Sequence, residues 1–94
     1  VDVTLDPVRL GQRLDDEFGG KPGEQRVVAR QAVDLKDASK YESDTGAELT
    51  VEEIIDHLAD APDGTPAERW NWWMGSLDVA YGGYERFSVR RYPE

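Results

Sequence analysis

TPAERWNWWMGSLDVAYGG, running from Thr65 to Gly83, is the stretch on which the fold turns. Its start is marked twice. Thr65 and Glu68 have the spacing of a capping box, in which each side chain takes up a free backbone N–H at the helix entrance. Pro66 stands at the first helical position, where a missing N–H costs nothing. Gly82-Gly83 mark the end, because glycine enters left-handed backbone without a Cβ clash. Between these signals Trp70, Trp73, Met74, Leu77 and Tyr81 recur at i, i+3, i+4, i+7 and i+11, which places them on one apolar stripe. Trp72 falls about 200° round the helix from Trp70, on a second face with Gly75, Ser76 and Val79. Asn71 and Asp78 form a polar strip between the two. A helix that is apolar on two faces calls for cover on two sides.

Thr50 caps a preceding helix, and Glu53 gives it the spacing of a second capping box. Val51, Ile54, Ile55, Leu58 and Ala61 make its stripe. Pro62-Asp63-Gly64 breaks it and leads within a few residues into Thr65. So short a link predicts an antiparallel helical hairpin over about 50–83, with Leu58 and Leu77 facing inward. Further upstream, Asp6-Pro7 opens a helix with Leu10, Leu14 and Phe18 on one face. Residues 24–40 fit either strand or helix; their length, alanines and Glu/Gln/Arg/Lys content predict helix, with a thin apolar face suited to the outside of the domain. Residues 41–49 read as a polar loop. The alternation Val1, Val3, Leu5 and the strand formers around Phe87 and Val89 predict a two-stranded ribbon made by the termini. The expectation is one small, mainly α-helical domain over residues 1–94.

There is no cysteine, hence neither a disulfide framework nor a thiolate metal site. No apolar run approaches the roughly 20 residues that cross a bilayer, and no signal-peptide pattern stands ahead of the first motif; a soluble cytoplasmic protein without membrane contact is expected. The net charge is −9, unevenly spread: residues 1–68 hold 17 acids and 7 bases, residues 69–94 hold 3 acids and 4 bases. Lysine is scarce, with three against eight arginines, and aspartate outnumbers glutamate. This resembles the composition of proteins that work in molar salt, where acidic side chains hold water and maintain solubility. A basic partner is the other explanation of such acidity.

Few residues invite chemistry. The single histidine, His57, has Glu53 at i−4 and Asp60 at i+3 on its helix side, a conceivable metal set that lacks the HExxH pattern and further ligands. A surface histidine paired with carboxylates is the reading expected, because such pairs at i,i+4 are common helix decoration. Asp15-Asp16-Glu17 read as a solvated acidic face rather than a metal cluster. Gly19-Gly20-Lys21-Pro22-Gly23 lacks the spacing of a phosphate loop. Neither a nucleophile nor a cofactor fingerprint is present, so no catalytic residue, metal or cofactor is assigned. The expected function is a non-catalytic protein–protein interaction or oligomerisation module. Its partner is a second copy or another protein, held by Trp72, Gly75, Ser76 and Val79. The alternative is a nucleic-acid-associated regulator using Arg86, Arg90, Arg91 and Tyr92, since basic and aromatic residues together bind single strands. A ligand pocket beside Trp72 is a third reading.

Overall fold

The computed structural model describes residues 5–90, and these are mainly helical. In order come α1 (Pro7–Phe18), α2 (Pro22–Asp37), α3 (Lys40–Thr45), α4 (Val51–Ala59), α5 (Pro66–Tyr81) and a 3-10 turn at Glu85–Phe87. The start signals act as their chemistry dictates. Asp6 accepts from the N–H groups of Val8 and Arg9 at 3.0 and 3.3 Å. Thr65 accepts from Glu68 N–H while the Glu68 carboxylate takes Thr65 N–H at 2.9 Å. At Thr50 only half of the capping box forms: Thr50 Oγ1 takes Glu53 N–H at 3.1 Å, but the Glu53 carboxylate turns away to a tyrosine described below.

The expected helix over 24–40 forms, but from Pro22 to Asp37, with a turn at Ala38-Ser39 before α3, and it does not lie on the outside. α2 packs against α1, α3, α5 and the 3-10 turn. Its apolar face, Val28, Ala29, Ala32 and Leu35, is buried. The alanines that make this face look thin allow neighbouring elements to approach closely on more than one side, so small volume here marks a hub. α4 packs on α1 and α5. Leu10, Leu14, Leu35, Leu49, Ile54, Leu58, Met74 and Trp70 are essentially inaccessible, each contributing about 1.5–3 kcal/mol by burial. Leu77 is buried as well.

Two further expectations change. Residues 41–49 are not simply a polar loop: α3 forms within them, entered through Ser39 at φ +56°, and Tyr41 and Leu49 join the core. Tyr81, expected on the buried stripe, is 49% exposed, whereas Tyr84 is fully buried. Gly82 and Gly83 both take φ +81°; this region suits glycine and turns the chain so that Tyr84, not Tyr81, enters the core. As for the ribbon of the termini, Val1, Val3, Arg91 and Tyr92 lie outside the described residues. Among the described residues there is no strand: Glu85–Phe87 form the 3-10 turn instead.

Polar side chains tie the elements together. Arg69 donates to Gly64 O at 2.8 Å, Leu58 O at 3.1 Å and Ala61 O at 3.3 Å, satisfying carbonyls at the end of α4 and in the link to α5, and stacks over the Phe18 ring. Glu52 accepts from Arg9 and Arg13 and so joins α4 to α1. Most telling is Glu24, only 2% exposed. One oxygen takes Lys21 N–H at its own helix start; the other takes Ala67 N–H at 2.9 Å, at the start of α5. A carboxylate at a helix N-terminus is also favoured by the helix dipole. Glu24→Ala leaves Ala67 N–H buried without its acceptor and is expected to lower stability by about 1–3 kcal/mol, read as a lower urea midpoint. An unchanged midpoint would show that the contact adds nothing to the fold.

Candidate functional site

The four residues Trp70-Asn71-Trp72-Trp73 point in different directions because successive helical residues are about 100° apart, and each direction does something different. Trp70 faces the C-terminal segment: its indole N–H donates to Phe87 O at 2.7 Å, with the ring fully buried. Asn71 holds the same segment by both of its amide atoms. Its Nδ2 donates to Val89 O at 2.8 Å, and its Oδ1 accepts from Val89 N–H at 2.7 Å. The side-chain amide takes the place that a neighbouring β-strand would occupy. This explains why strand-forming residues around Val89 sit extended without forming a ribbon among the described residues. Tyr84 is anchored nearby, its N–H donating to Asp78 Oδ1 at 3.0 Å and its hydroxyl to Asp44 Oδ2 at 2.8 Å.

Trp73 faces α3 and α4. Its ring stacks on His57, with centroids 4.8 Å apart and planes 11° from parallel, and meets Tyr41 and Trp70 edge-on. Tyr41 donates to Glu53 Oε2 at 2.5 Å, and the same oxygen lies 3.3 Å from His57 Nε2. Burial, then the hydrogen bond to the Glu53 carboxylate and its charge, push the Tyr41 hydroxyl well above the ordinary tyrosine range. Burial and the Asp44 carboxylate do the same at Tyr84, while Tyr84 and Lys40 together lower the pKa of Asp44. Glu53 is therefore an acceptor already in use, joined to Tyr41 and His57. Among the described residues no three histidine, aspartate or glutamate side chains gather as a metal-binding group.

Trp72 alone looks outward. It is 42% exposed, and Val79 is 90% exposed; Gly75, Ser76 and Ala80 are exposed beside them. A Cβ built on Gly75 meets nothing within 4 Å. The tight approach to the Gly75 backbone that a helical glycine suggests is therefore absent among the described residues. Ser76 turns its hydroxyl back to Trp72 O at 3.1 Å. The Trp72 strip is thus an uncharged, exposed helix face.

The model of the family described as the WNWW domain matches residues 2–78. The chain belongs to the WNWW domain family. No curated protein and no solved structure matches it. In this WNWW domain the tetrapeptide divides its labour: Trp70 and Asn71 hold the tail, Trp73 seals the α3–α4 side, and Trp72 is left at the surface. The tail that Trp70 and Asn71 hold, residues 87–89, lies beyond the matched region.

The arginines proposed for nucleic acid are placed less favourably than their sequence suggests. The Arg86 guanidinium lies over Phe87, and Arg90 pairs with Glu85 at 3.3 Å; Arg91 and Tyr92 lie outside the described residues. Tyr84 and Phe87 are buried and offer no stacking platform. Asn71, Asp78 and Glu24 were the residues that sequence reasoning undervalued. Only the polar strip on the α5 wheel hinted at the first two. Nothing local marked Glu24 as the cap of a helix 43 residues away. Within the described residues no helix is long and apolar enough to cross a membrane.

Proposed function

We propose that this WNWW domain is a non-catalytic interaction module that self-associates through the outward face of α5. The observation that carries the reading is the order of residues on that face. Trp72, Gly75, Ser76 and Val79 are all exposed, at i, i+3, i+4 and i+7. The order large, small, small, large is the same from either end. A two-fold axis between Gly75 and Ser76 brings Trp72 of one copy against Val79 of the other, with the small residues at the crossing point. An interface of two identical patches requires this kind of self-complementarity.

Charge supports the same site. A third of the chain is charged, yet this strip carries no charge, and nearby Glu68 is occupied by Thr65 N–H. The reading takes α4 and α5 as an antiparallel pair that presents the strip. Repulsion between protomers of net charge −9 opposes association at low ionic strength and is screened in concentrated salt.

Sedimentation in molar potassium chloride tests this, with Trp72→Ala and Gly75→Glu compared against the wild type. The expected result is a concentration-dependent dimer for the wild type. Both variants should associate at least about tenfold more weakly, equivalent to about 1.4 kcal/mol, with unfolding midpoints close to that of the wild type. A wild type that stays monomeric at high concentration overturns the reading.

A further inference from the structure

A second surface lies between α1 and α2. There a groove of about 760 Å³ is lined at helical intervals by Pro7, Val8 and Gly11 of α1 and by Ala29 and Val33 of α2. Val8 is 69% exposed. A Cβ on Gly11 meets nothing within 4 Å, so the floor is open at this point. The α2 wall also carries Arg26 and Arg30.

These two arginines are anomalous in so acidic a chain. Arg9, Arg13, Lys36, Lys40 and Arg90 are ion-paired. Arg69 is bound to carbonyls and Arg86 lies over a ring, and Lys21 also has a partner. Arg26 and Arg30 alone among the described basic side chains make no ion pair, hydrogen bond or ring contact. They stand one turn apart, about 6 Å along the helix. The groove also has acids: Asp15, which accepts from Gln25 Nε2 at 3.0 Å, and Asp34, one turn beyond Arg30.

We infer that the α1–α2 groove receives an acidic amphipathic helix of a partner protein, its apolar seam over Gly11 and Ala29 and two carboxylates one turn apart against Arg26 and Arg30. A helix brings side chains at the same interval as the two walls, so its ridges enter their grooves. Two unpaired guanidinium groups match two carboxylates at i and i+4. A fatty acid brings one carboxylate and leaves an arginine unmatched. The α5 strip of a second copy does not supply them either, since it carries no acid. This goes beyond the self-association proposed above and uses a different face.

The probe is a synthetic three-turn amphipathic peptide with a leucine seam and paired glutamates, labelled for fluorescence anisotropy, with a twin carrying lysines in place of the glutamates. The glutamate peptide is expected to bind, more weakly as salt rises, and the lysine twin to bind much less. The double variant Arg26→Glu, Arg30→Glu should weaken binding at least about tenfold, as expected for two exposed ion pairs reversed. Gly11→Leu fills the floor and should abolish binding while keeping the unfolding midpoint. Trp72→Ala should bind the peptide as the wild type does, which separates this test from that of self-association. Failure of the wild type to bind, equal binding of the two peptides, or full binding by the arginine variant overturns the inference.

Discussion

Trp70→Ala is expected to destabilise the domain by about 3–5 kcal/mol, the range for removing a buried aromatic, a large share of what a domain of this size possesses. The ring is fully enclosed and meets Trp73 edge-on, and its N–H holds Phe87 O. Two residues along, Trp72→Ala is expected to change stability by no more than about 1 kcal/mol, because that ring is already partly in water. Urea unfolding of both variants checks the contrast. Trp70→Phe refines it by keeping most of the ring and removing the donor, at an expected cost of about 1–3 kcal/mol. Equal losses for the two alanine variants would mean that Trp72, too, belongs to the core.

Alkali should unfold the domain. Tyr41 and Tyr84 are held protonated by burial first and then by the carboxylates of Glu53 and Asp44. In the unfolded chain a tyrosine ionises near pH 10. Above that pH the unfolded state binds fewer protons than the folded one, so stability falls as pH rises. The stabilisation associated with the two hydroxyls is fully present below about pH 10 and is lost as pH climbs towards their raised folded values. The expected result is cooperative loss of helical circular dichroism together with the appearance of tyrosinate absorbance from these two side chains. Gradual ionisation of all four tyrosines ahead of any loss of helix would contradict it.

Local chemistry made much of this molecule readable. Asp6, Thr65 and Glu68 mark helix starts because a cap is decided within four residues, and the structure uses each as expected. The separation of Trp72 from Trp70 and Trp73 followed from helical geometry alone. What could not be read depended on partners far along the chain. Tyr81 has the right periodicity for the core, but the path set by Gly82 and Gly83 gives the place to Tyr84. Phe87 and Val89 look like strand, but a side-chain amide on α5 meets the backbone first. Glu53 has capping-box spacing, yet a buried tyrosine hydroxyl from α3 takes its carboxylate. α2 looked peripheral because alanine counts little towards an apolar stripe, although it leaves room for neighbours. Of the two proposed surfaces, the exposed α5 strip was legible, while the α1–α2 groove was not: it depends on how two helices are spaced and on which arginines find no partner.

Asn71 grips peptide groups, not side chains. Its two hydrogen bonds go to Val89 N–H and Val89 O, and that of Trp70 goes to the carbonyl of Phe87. These three hydrogen bonds do not depend on which side chains the tail carries; its sequence is constrained instead at Phe87 and Val89, which are buried in the core. Ser88 and exposed Arg90 can drift through many residue types without loosening the latch. Proline at position 89 is barred, because it has no N–H to give. Substitution at Ser88 or Arg90 is thus compatible with a closed latch, as long as Phe87 and Val89 keep their places in the core.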